Sequence, residues 1–252
     1  MFNKDSFALI TGATSGIGEA CAKSLARLGK NLILIGRRVD KLQELKKDFE
    51  VEFHIQVLIF SVDVQKLEQI ENLFKKLKNT SIDILINNAG LARGKENFET
   101  YPWADFEEMI NTNIIGFLKV AQLSIPFLKK TKGHIVNISS IAASEAYEGG
   151  SVYCASKAFV KMISKSLRID LLGTGIRVTD IAPGAVDTKF SEIRFHGDKQ
   201  KADSVYQGFV PLHAEDIADT VTFALTRPAH VNLDTIVIYP TDQASITRIF
   251  KK

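Results

Sequence analysis

Short apolar runs alternate with longer amphipathic segments along almost the whole chain. The apolar runs lie at residues 7–10, 32–35, 56–62, 82–86, 134–138, 177–181 and 235–239. Between them, apolar residues recur with the period of a helix, at Ile17, Cys21, Leu25 and Leu28 and again at Leu67, Ile70, Phe74 and Leu77. Because such alternation builds right-handed βαβ units, it predicts an α/β fold, a doubly wound parallel sheet of about seven strands with helices on both faces.

The chain length suits one domain. Its 252 residues contain no repeat, low-complexity tract or linker rich in Pro, Gly and Ser. A single domain spanning residues 1–252 is therefore expected. The one long irregular stretch, residues 185–212, follows a strand and contains Gly197, Gly208 and several charges. Such a stretch is typical of a mobile lid over a substrate.

Charge and cysteine content exclude several classes of protein. The formal net charge is +3 and the basic residues are spread along the chain, so no nucleic-acid partner is expected. Cys21 and Cys154 have no ligands at metal-binding spacing, so neither a disulfide nor a metal site is expected. Residues 1–6 are polar and no apolar stretch approaches the ~20 residues of a membrane span. The sequence therefore predicts a cytoplasmic protein without a membrane partner.

A glycine-rich turn directly follows the first apolar run. Gly12, Gly16 and Gly18 have the spacing Gly-x-x-x-Gly-x-Gly where the first strand passes into a helix. Glycine lets the main chain approach a pyrophosphate, and a helix N-terminus favours the negative charge of that group. The turn therefore indicates a dinucleotide site, with a tight turn that binds no ligand as the alternative.

Three further motifs follow in order: Asp63-Val64 after the third strand, Asn87 to Gly90 after the fourth, and Pro183-Gly184 after the sixth. Together with the glycine spacing, they make the chain resemble the short-chain dehydrogenases/reductases over nearly its whole length. The resemblance implies a Rossmann-type sheet, a nicotinamide cofactor and hydride transfer at an alcohol or carbonyl carbon. It also implies a homo-oligomer, since family members are often tetramers.

The residue type at the end of the second strand indicates whether the cofactor is NAD or NADP. Family members that bind NAD usually have a carboxylate there for the adenosine ribose, whereas this chain has Arg37 and Arg38. Two guanidiniums can pair with a 2′-phosphate, so NADP is expected rather than NAD. A solvated basic turn is the alternative.

The resemblance also assigns the remaining cofactor contacts. Asp63 is expected to accept from the adenine amino group, with Val64 beside the ring, while packing and direct contact both stay open for Asn87. The expected cofactor-binding residues are Gly12, Thr14, Ser15, Gly16, Ile17, Gly18, Arg37, Arg38, Asp63, Val64, Asn88, Ala89, Gly90, Tyr153, Lys157, Pro183, Gly184, Val186 and Thr188.

Tyr153 and Lys157 are four residues apart, so on a helix they share one face. A tyrosine with its usual pKa of ~10 is a poor base at neutral pH, and a nearby cation favours the phenolate. The pair therefore predicts a proton-transfer site, and an ordinary pair on an amphipathic helix is the alternative. The resemblance adds that Lys157 binds the ribose hydroxyls of the cofactor.

Two further catalytic residues follow from the resemblance. Ser140, which comes just after the fifth strand, is expected to donate to the substrate oxygen as negative charge develops on it, and it is preferred to Ser139. Asn113 is preferred to Asn111, and it aligns with the asparagine that holds a water in the proton relay to Lys157.

Three C-terminal stretches, residues 190–198, 227–232 and 239–243, look like the family branch containing NADP-dependent 3-hydroxy acid and serine 3-dehydrogenases. A 3-hydroxy acid such as serine or allo-threonine carries a carboxylate that needs a cationic partner when it is enclosed. Arg194, in the predicted lid, is the candidate, and an exposed loop charge is the alternative. The expected substrate contacts are Ser140, Tyr153 and Arg194.

Two other functions stay open at this point. A 3-oxoacyl thioester reductase or a general carbonyl reductase would keep the same catalytic residues and act on another substrate. A regulator that senses NADP without turnover would normally lack Tyr153 or Lys157, and the chain has both.

Overall fold

Seven parallel strands form the central sheet of the computed structural model, which describes residues 5–252. In chain order the strands are β1 (Phe7–Thr11), β2 (Asn31–Gly36), β3 (Val57–Ser61), β4 (Ile82–Asn87), β5 (His134–Ile138), β6 (Arg177–Pro183), β7 (Val186–Asp187), β8 (Leu212–His213) and β9 (Thr235–Ile238). The short β7 and β8 form a separate pair, and the main sheet has the order β3-β2-β1-β4-β5-β6-β9. The predicted parallel sheet is confirmed, and residues 1–4 of the predicted domain lie outside the described residues.

Helices connect successive strands of this sheet. They are α1 (Gly16–Arg27), α2 (Val39–Phe53), α3 (Leu67–Lys76), α4 (Trp103–Ile110), α5 (Phe117–Thr131), α6 (Ser151–Asp170), α7 (Phe190–Arg194), α8 (Lys199–Ser204) and α9 (Ala214–Leu225). A π-helical segment, Asn111–Gly116, joins α4 to α5, and short 3-10 turns occupy Phe98–Thr100 and Ile141–Ala143.

Alternate side chains of the central strands enter two separate apolar cores. In β1, Ala8 and Ile10 pack with α1, α2 and α9 on one face of the sheet. Phe7 and Leu9 pack with α3 and α5 on the other face. Because helices cover both faces, every residue of β1 is buried, which explains why the strand reads as a continuous apolar run.

The strand order reverses between β1 and β4, which are neighbours in the sheet. In an open α/β sheet, the crevice at such a reversal lies outside the carboxyl ends of the strands. The glycine turn follows β1, the segment beginning at Asn88 follows β4, and Ser140 follows β5. The fold therefore brings these motifs to the same edge of the sheet.

Residues 185–212, predicted to be irregular, contain more regular structure than expected. β7, α7 and α8 all lie within this stretch. With five residues in α7 and six in α8, neither helix is long enough to display a helical period of apolar residues. The sequence pattern therefore could not reveal them.

Within residues 5–252, no helix is both long enough and apolar enough to cross a bilayer. The same part of the chain contains no group of three or more His, Cys, Asp or Glu side chains that could hold a metal ion. Cys21 and Cys154 are buried and free.

Candidate active site

A cavity of about 1050 Å³ opens at the carboxyl edge of the sheet. The glycine turn, the residues that follow β2 to β6, the start of α6 and the segment 183–195 all contribute to its lining. Residues near the C-terminus close one side, among them Gln243 and Ile246. A cavity of this size has room for a dinucleotide and a small second ligand.

The glycine turn presents backbone rather than side chains to the cavity. Gly16 has a φ of +54°, a conformation that side chains disfavour, and a Cβ atom there would lie 3.2 Å from the Cβ of Thr188. A Cβ on Gly18 would lie 2.3 Å from the carbonyl oxygen of Gly12. Among the described residues, no side chain caps α1 at Ser15, so the first N–H groups of the helix are available to an anion.

The two arginines after β2 have different surroundings. Arg38 Nη2 donates to the Thr14 carbonyl at 2.9 Å and to the Thr14 hydroxyl at 3.0 Å, which fastens this side chain to the glycine turn. Arg37 is exposed, and both arginines line the cavity. The structure therefore brings two guanidiniums beside the turn that could receive a pyrophosphate.

Asp63 and Val64 line the cavity beside this basic pair. The Asp63 carboxylate accepts from the Gln65 backbone N–H at 3.0 Å, and the Asp63 N–H donates to Gln69 Oε1 at 2.8 Å. Val64 is buried against Gly116, where a Cβ atom would lie 2.3 Å from the Val64 carbonyl oxygen. The residues predicted to contact the adenine thus lie in a turn that is held by its own hydrogen bonds.

Thr11 joins the turn after β1 to the segment after β4. Its hydroxyl accepts from the N–H groups of Asn88 at 3.0 Å and Ala89 at 2.9 Å. The buried Asn87 amide donates instead to the Phe117 carbonyl at 3.0 Å and accepts from Thr11 at 3.4 Å. Asn88 and Ala89 line the cavity, whereas the contacts of Asn87 favour packing over direct cofactor contact.

Tyr153 and Lys157 lie on one face of α6, as their spacing predicts. Lys157 Nζ donates to the Ile138 carbonyl at 2.9 Å and lies 6.0 Å from the centroid of the Tyr153 ring. Burial lowers the pKa of Lys157 to about 8, against the opposing charge of Asp180. Burial also raises the pKa of Tyr153, which the Ser140 hydroxyl and the Arg194 guanidinium lower. The buried Tyr153 phenol thus lies near two cations, Lys157 and Arg194, and near the Ser140 hydroxyl.

The two serines after β5 have different environments. Ser140 caps the following 3-10 turn by accepting from the Ala142 N–H at 3.1 Å; its hydroxyl lies 3.4 Å from the Pro183 carbonyl and beside the Tyr153 phenol. Ser139 is buried, and its hydroxyl donates to the Ile181 carbonyl at 3.3 Å. This arrangement favours Ser140 over Ser139 as the serine that contacts a substrate.

Asn113 lies within the π-helical segment, a local widening of a helix that is frequent at functional sites. Its Oδ1 accepts from the Leu91 N–H at 2.9 Å, while its Nδ2 donates to the Leu91 carbonyl at 2.8 Å and to the Ser156 hydroxyl at 3.0 Å. A Cβ on Gly90 would lie 3.3 Å from Asn113 Oδ1 and 3.4 Å from Lys157 Nζ. Asn113 therefore connects the turn after β4 to the helix that carries Lys157.

Arg194 points into the cavity. Its Nε donates to the Gly94 carbonyl at 2.9 Å and its Nη2 donates to the Tyr147 hydroxyl at 2.7 Å. The guanidinium carbon lies 5.2 Å from the centroid of the Tyr147 ring and 5.8 Å from that of Tyr153. The alternative of an exposed loop charge is therefore disfavoured.

Three contacts hold the segment around Arg194 against the opposite side of the cavity mouth. The Gly94 N–H donates to the Arg194 carbonyl at 2.7 Å. Arg93 donates to the Ile193 carbonyl at 2.5 Å, and its guanidinium forms an ion pair with Glu108. His196 Nε2 lies 3.1 Å from a carboxylate oxygen of Asp105.

Sequence reasoning missed three residues of this site. Tyr147 lies in the irregular segment before α6 and Ile246 lies near the C-terminus, and both pack against the same cluster of buried residues, which includes Tyr153. Gln243 Oε1 accepts from the Ala185 N–H at 2.8 Å and so holds the segment after Pro183-Gly184. The adjacent Gly149 and Gly150 mark a turn at Tyr147, but a turn gives no sign that its aromatic residue enters the cavity.

Comparison with known proteins gives consistent matches along the chain. A family model described as short chain dehydrogenase matches residues 6–198. The NADP-dependent 3-hydroxy acid dehydrogenase of Schizosaccharomyces pombe is 41% identical over 248 residues, which cover 97% of this chain and 96% of that protein. Sulfoacetaldehyde reductase 2 of Chromohalobacter salexigens is 40% identical over 243 residues, which cover 94% of each protein.

A solved structure matches at a similar level. The closed form of serine dehydrogenase complexed with NADP+ is similar with a TM-score of 0.90 and 41% identity, over 98% of this chain and 99% of that chain. The family model alone spans most of the chain, including the glycine turn and both Tyr153 and Lys157. The chain belongs to the short-chain dehydrogenase family.

Proposed function

We propose that the chain is an NADP-dependent oxidoreductase that moves a hydride between the nicotinamide and the hydroxyl-bearing carbon of a small 3-hydroxy acid, such as serine or allo-threonine. One observation carries the proposal. The Arg194 guanidinium lies 5.8 Å from the ring of Tyr153, in the same cavity as Lys157. A cation for a carboxylate thus stands beside the group that would exchange a proton with the hydroxyl.

The residues that line the cavity fit NADP. The available N–H groups at the start of α1 suit the pyrophosphate, and Arg37 and Arg38 suit a 2′-phosphate. When bound, the nicotinamide would accept or donate the hydride. The residues that would hold the cofactor are Gly12, Thr14, Ser15, Gly16, Ile17, Gly18, Arg37, Arg38, Asp63, Val64, Asn88, Ala89, Gly90, Tyr153, Lys157, Pro183, Gly184, Val186 and Thr188, and all of these except Gly18 line the cavity.

Proton transfer is assigned to Tyr153. During oxidation its phenolate takes the proton from the substrate hydroxyl, and during reduction its phenol returns a proton to the oxygen. The Lys157 ammonium favours the phenolate because it is a cation 6.0 Å from the ring centroid. Ser140 donates to the substrate oxygen and stabilises the charge that develops there. That Asn113 holds a relay water stays a prediction.

The carboxylate of the substrate is assigned to Arg194. Its Nε and Nη2 already donate to Gly94 and Tyr147, so the remaining N–H groups would bind the carboxylate. The names of two relatives are consistent with a small anion, since 3-hydroxy acids and sulfoacetaldehyde both carry one. A thioester or neutral carbonyl substrate would leave the half-buried Arg194 guanidinium without an anionic partner.

We propose that residues 185–212 act as the lid over the substrate. The hydrogen bonds from Gly94 and Arg93 to the backbone of α7 would hold the closed position. Because Arg194 lies in α7, closure would bring the cation to the substrate and exclude water in the same movement.

A homotetramer in the cytoplasm completes the proposal. Exposed apolar side chains on the π-helical segment, α5 and α6 support an interface, and they are Ile115, Leu118, Met162 and Ile169. Two free cysteines are consistent with a reducing compartment. Sedimentation equilibrium would measure the assembly mass, and a monomer would contradict the tetramer.

Replacing Arg37 with Ala is expected to lower kcat/KM for NADP about tenfold to a hundredfold, because a charge-assisted contact to the 2′-phosphate is lost. The value for NAD, which lacks that phosphate, should be nearly unchanged. Initial rates with each cofactor measure the effect, and Arg27→Ala at the end of α1 is a matched control. Equal losses with both cofactors would contradict the assignment.

Turnover tests the proposed function itself. Purified protein would be mixed with NADP and serine, allo-threonine, 3-hydroxypropionate or 3-hydroxybutyrate, and absorbance of the reduced cofactor would be followed. Reduced cofactor should form with at least one of these acids. Activity only with carboxylate-free alcohols would favour a general carbonyl reductase. No reduced cofactor with any substrate would favour a regulator that binds NADP without turnover.

A further inference from the structure

The sheet beneath Lys157 carries a buried acid that the proposed mechanism does not use. Asp180 lies in the middle of β6 and is fully buried. It has the same orientation in the strand as Val178, which packs in the core on the α6 side together with Leu167. The Asp180 carboxyl therefore faces the helix that carries Lys157.

The register of β5 and β6 places Asp180 close to the anchor of Lys157. Asp180 lies opposite Asn137, and Ile181 lies opposite Ile138. The Ile138 carbonyl is the acceptor for Lys157 Nζ at 2.9 Å. Asp180 is therefore paired with the residue that directly precedes Ile138, whose carbonyl accepts from the Lys157 ammonium.

The Asp180 carboxyl lacks the hydrogen bonds that a structural acid would have. Within residues 5–252, no well-aligned donor meets either carboxyl oxygen, although the Ser139 hydroxyl lies close enough to lower the pKa of the carboxyl. The nearby Ser139 hydroxyl is directed at the Ile181 carbonyl, at 3.3 Å. Buried polar groups normally have partners, so this acid calls for an explanation other than folding stability.

The neighbouring Asn137 does not provide a donor. The Ser164 hydroxyl donates to the Val160 carbonyl at 2.7 Å, so it must accept from Asn137 Nδ2 at 2.8 Å. This fixes the amide orientation, and in the described part of the chain Asn137 Oδ1 is left without a donor beside Asp180. Two side chains in register thus present acceptor oxygens toward α6.

The groups that shift the pKa of the Asp180 carboxyl lie after β5, on α6 and before β9. Burial raises the pKa of its carboxyl, the Ser139 hydroxyl, Lys157 and Lys161 lower that pKa, and Asp234 before β9 raises it. In the opposite direction, burial lowers the pKa of Lys157 and Asp180 raises it. Asp180 is therefore the acid that favours the charged form of the buried ammonium.

We propose that Asp180 is a positioning residue that keeps Lys157 charged beside Tyr153 during turnover. The inference rests on the proposed function, because Asp180 has this role only if Tyr153 and Lys157 transfer the proton. Burial alone favours a neutral amine, which would no longer stabilise the phenolate. The carboxyl opposes that loss, and the fold in turn buries an acid that has few hydrogen bonds.

The test is Asp180→Asn, which removes the charge and keeps the shape. In hydroxy-acid oxidation, the alkaline limb of the kcat–pH profile should move about one pH unit lower, because an opposite charge at close range shifts a pKa by about that amount or more. At pH values above the new limb, kcat should fall about tenfold below wild type. KM for the hydroxy acid should stay close to wild type, since Asp180 does not line the cavity.

Thermal unfolding separates this role from a structural one. The melting temperature of Asp180→Asn should stay close to that of wild type, because the variant loses the attraction to Lys157 but no longer buries a carboxyl with few hydrogen bonds. Asp170→Asn, at the exposed end of α6, makes the same charge change away from the site and should keep the wild-type pH profile.

Two results would overturn the inference while the proposed function stands: an active Asp180→Asn protein with the wild-type pH profile, or an Asp180→Asn protein that melts well below wild type. A wild-type protein without turnover would instead reject the proposed function, and the inference with it. Measuring wild type first therefore distinguishes the two failures.

Discussion

Tyr153→Phe is expected to lower kcat for 3-hydroxy acid oxidation about a thousandfold, the effect of removing a general acid–base group. This corresponds to about 4 kcal/mol of transition-state stabilisation. The substitution removes only the hydroxyl, and the ring keeps its contact with Phe190, at 5.6 Å between centroids. Because only one hydroxyl is removed from a cofactor site built from many residues, the dissociation constant of NADP should change much less than kcat.

Stopped-flow rates of cofactor reduction and fluorescence titration of NADP measure the two quantities separately. Tyr239→Phe is a matched control, because Tyr239 is partly exposed and does not line the cavity. A Tyr153→Phe protein that retained more than about a tenth of wild-type kcat would assign proton transfer to another group.

Arg194→Met is expected to lower kcat/KM for 3-hydroxybutyrate about a hundredfold, since an enclosed carboxylate would lose its cationic partner. The matched substrate is 2-butanol, in which a methyl group replaces the carboxylate. The kcat/KM for 2-butanol should not fall, because this substrate carries no charge for the Arg194 guanidinium to bind. The ratio between the two substrates isolates the ionic contact from any general disturbance of α7.

Lys189→Met is the control for this variant, because Lys189 is an exposed cation that lines the same cavity and immediately precedes α7. It should keep the wild-type preference for 3-hydroxybutyrate. Equal losses with both substrates in Arg194→Met would mean that Arg194 has only a structural role in the lid, through its contacts with Gly94 and Tyr147, and does not bind the carboxylate.

The main sheet could be predicted because its strands are buried on both faces. The run at 134–138 matches β5 in full, whereas the run at 56–62 extends one residue beyond β3 at each end. Strand ends are less certain because residues just outside β3 still bond to β2: the Val62 N–H donates to the Gly36 carbonyl at 3.0 Å, and the Gln56 carbonyl accepts from Leu32 at 2.9 Å. The short β7 and β8 lack a pattern of their own, since two residues define no period.

The candidate site could be predicted as far as its residues occur in local motifs. The glycine turn and the Tyr153–Lys157 pair have chemistry that follows from spacing alone. Tyr147 and Ile246 have no such spacing, because they meet at the cavity only after residues about a hundred positions apart pack together. Asp180 lies in an apolar strand, and only the structure reveals that its buried carboxyl affects the charge of Lys157.

The most direct test of hydride transfer uses 3-hydroxybutyrate carrying deuterium on C3, with NADP and wild-type protein. Mass spectrometry of the reduced cofactor would locate the label after one turnover. Direct transfer predicts one deuterium in the reduced nicotinamide and a 3-oxo acid as the product. Failure to form reduced cofactor, or a reduced cofactor without deuterium, would contradict the assignment of this site to hydride transfer from a 3-hydroxy acid.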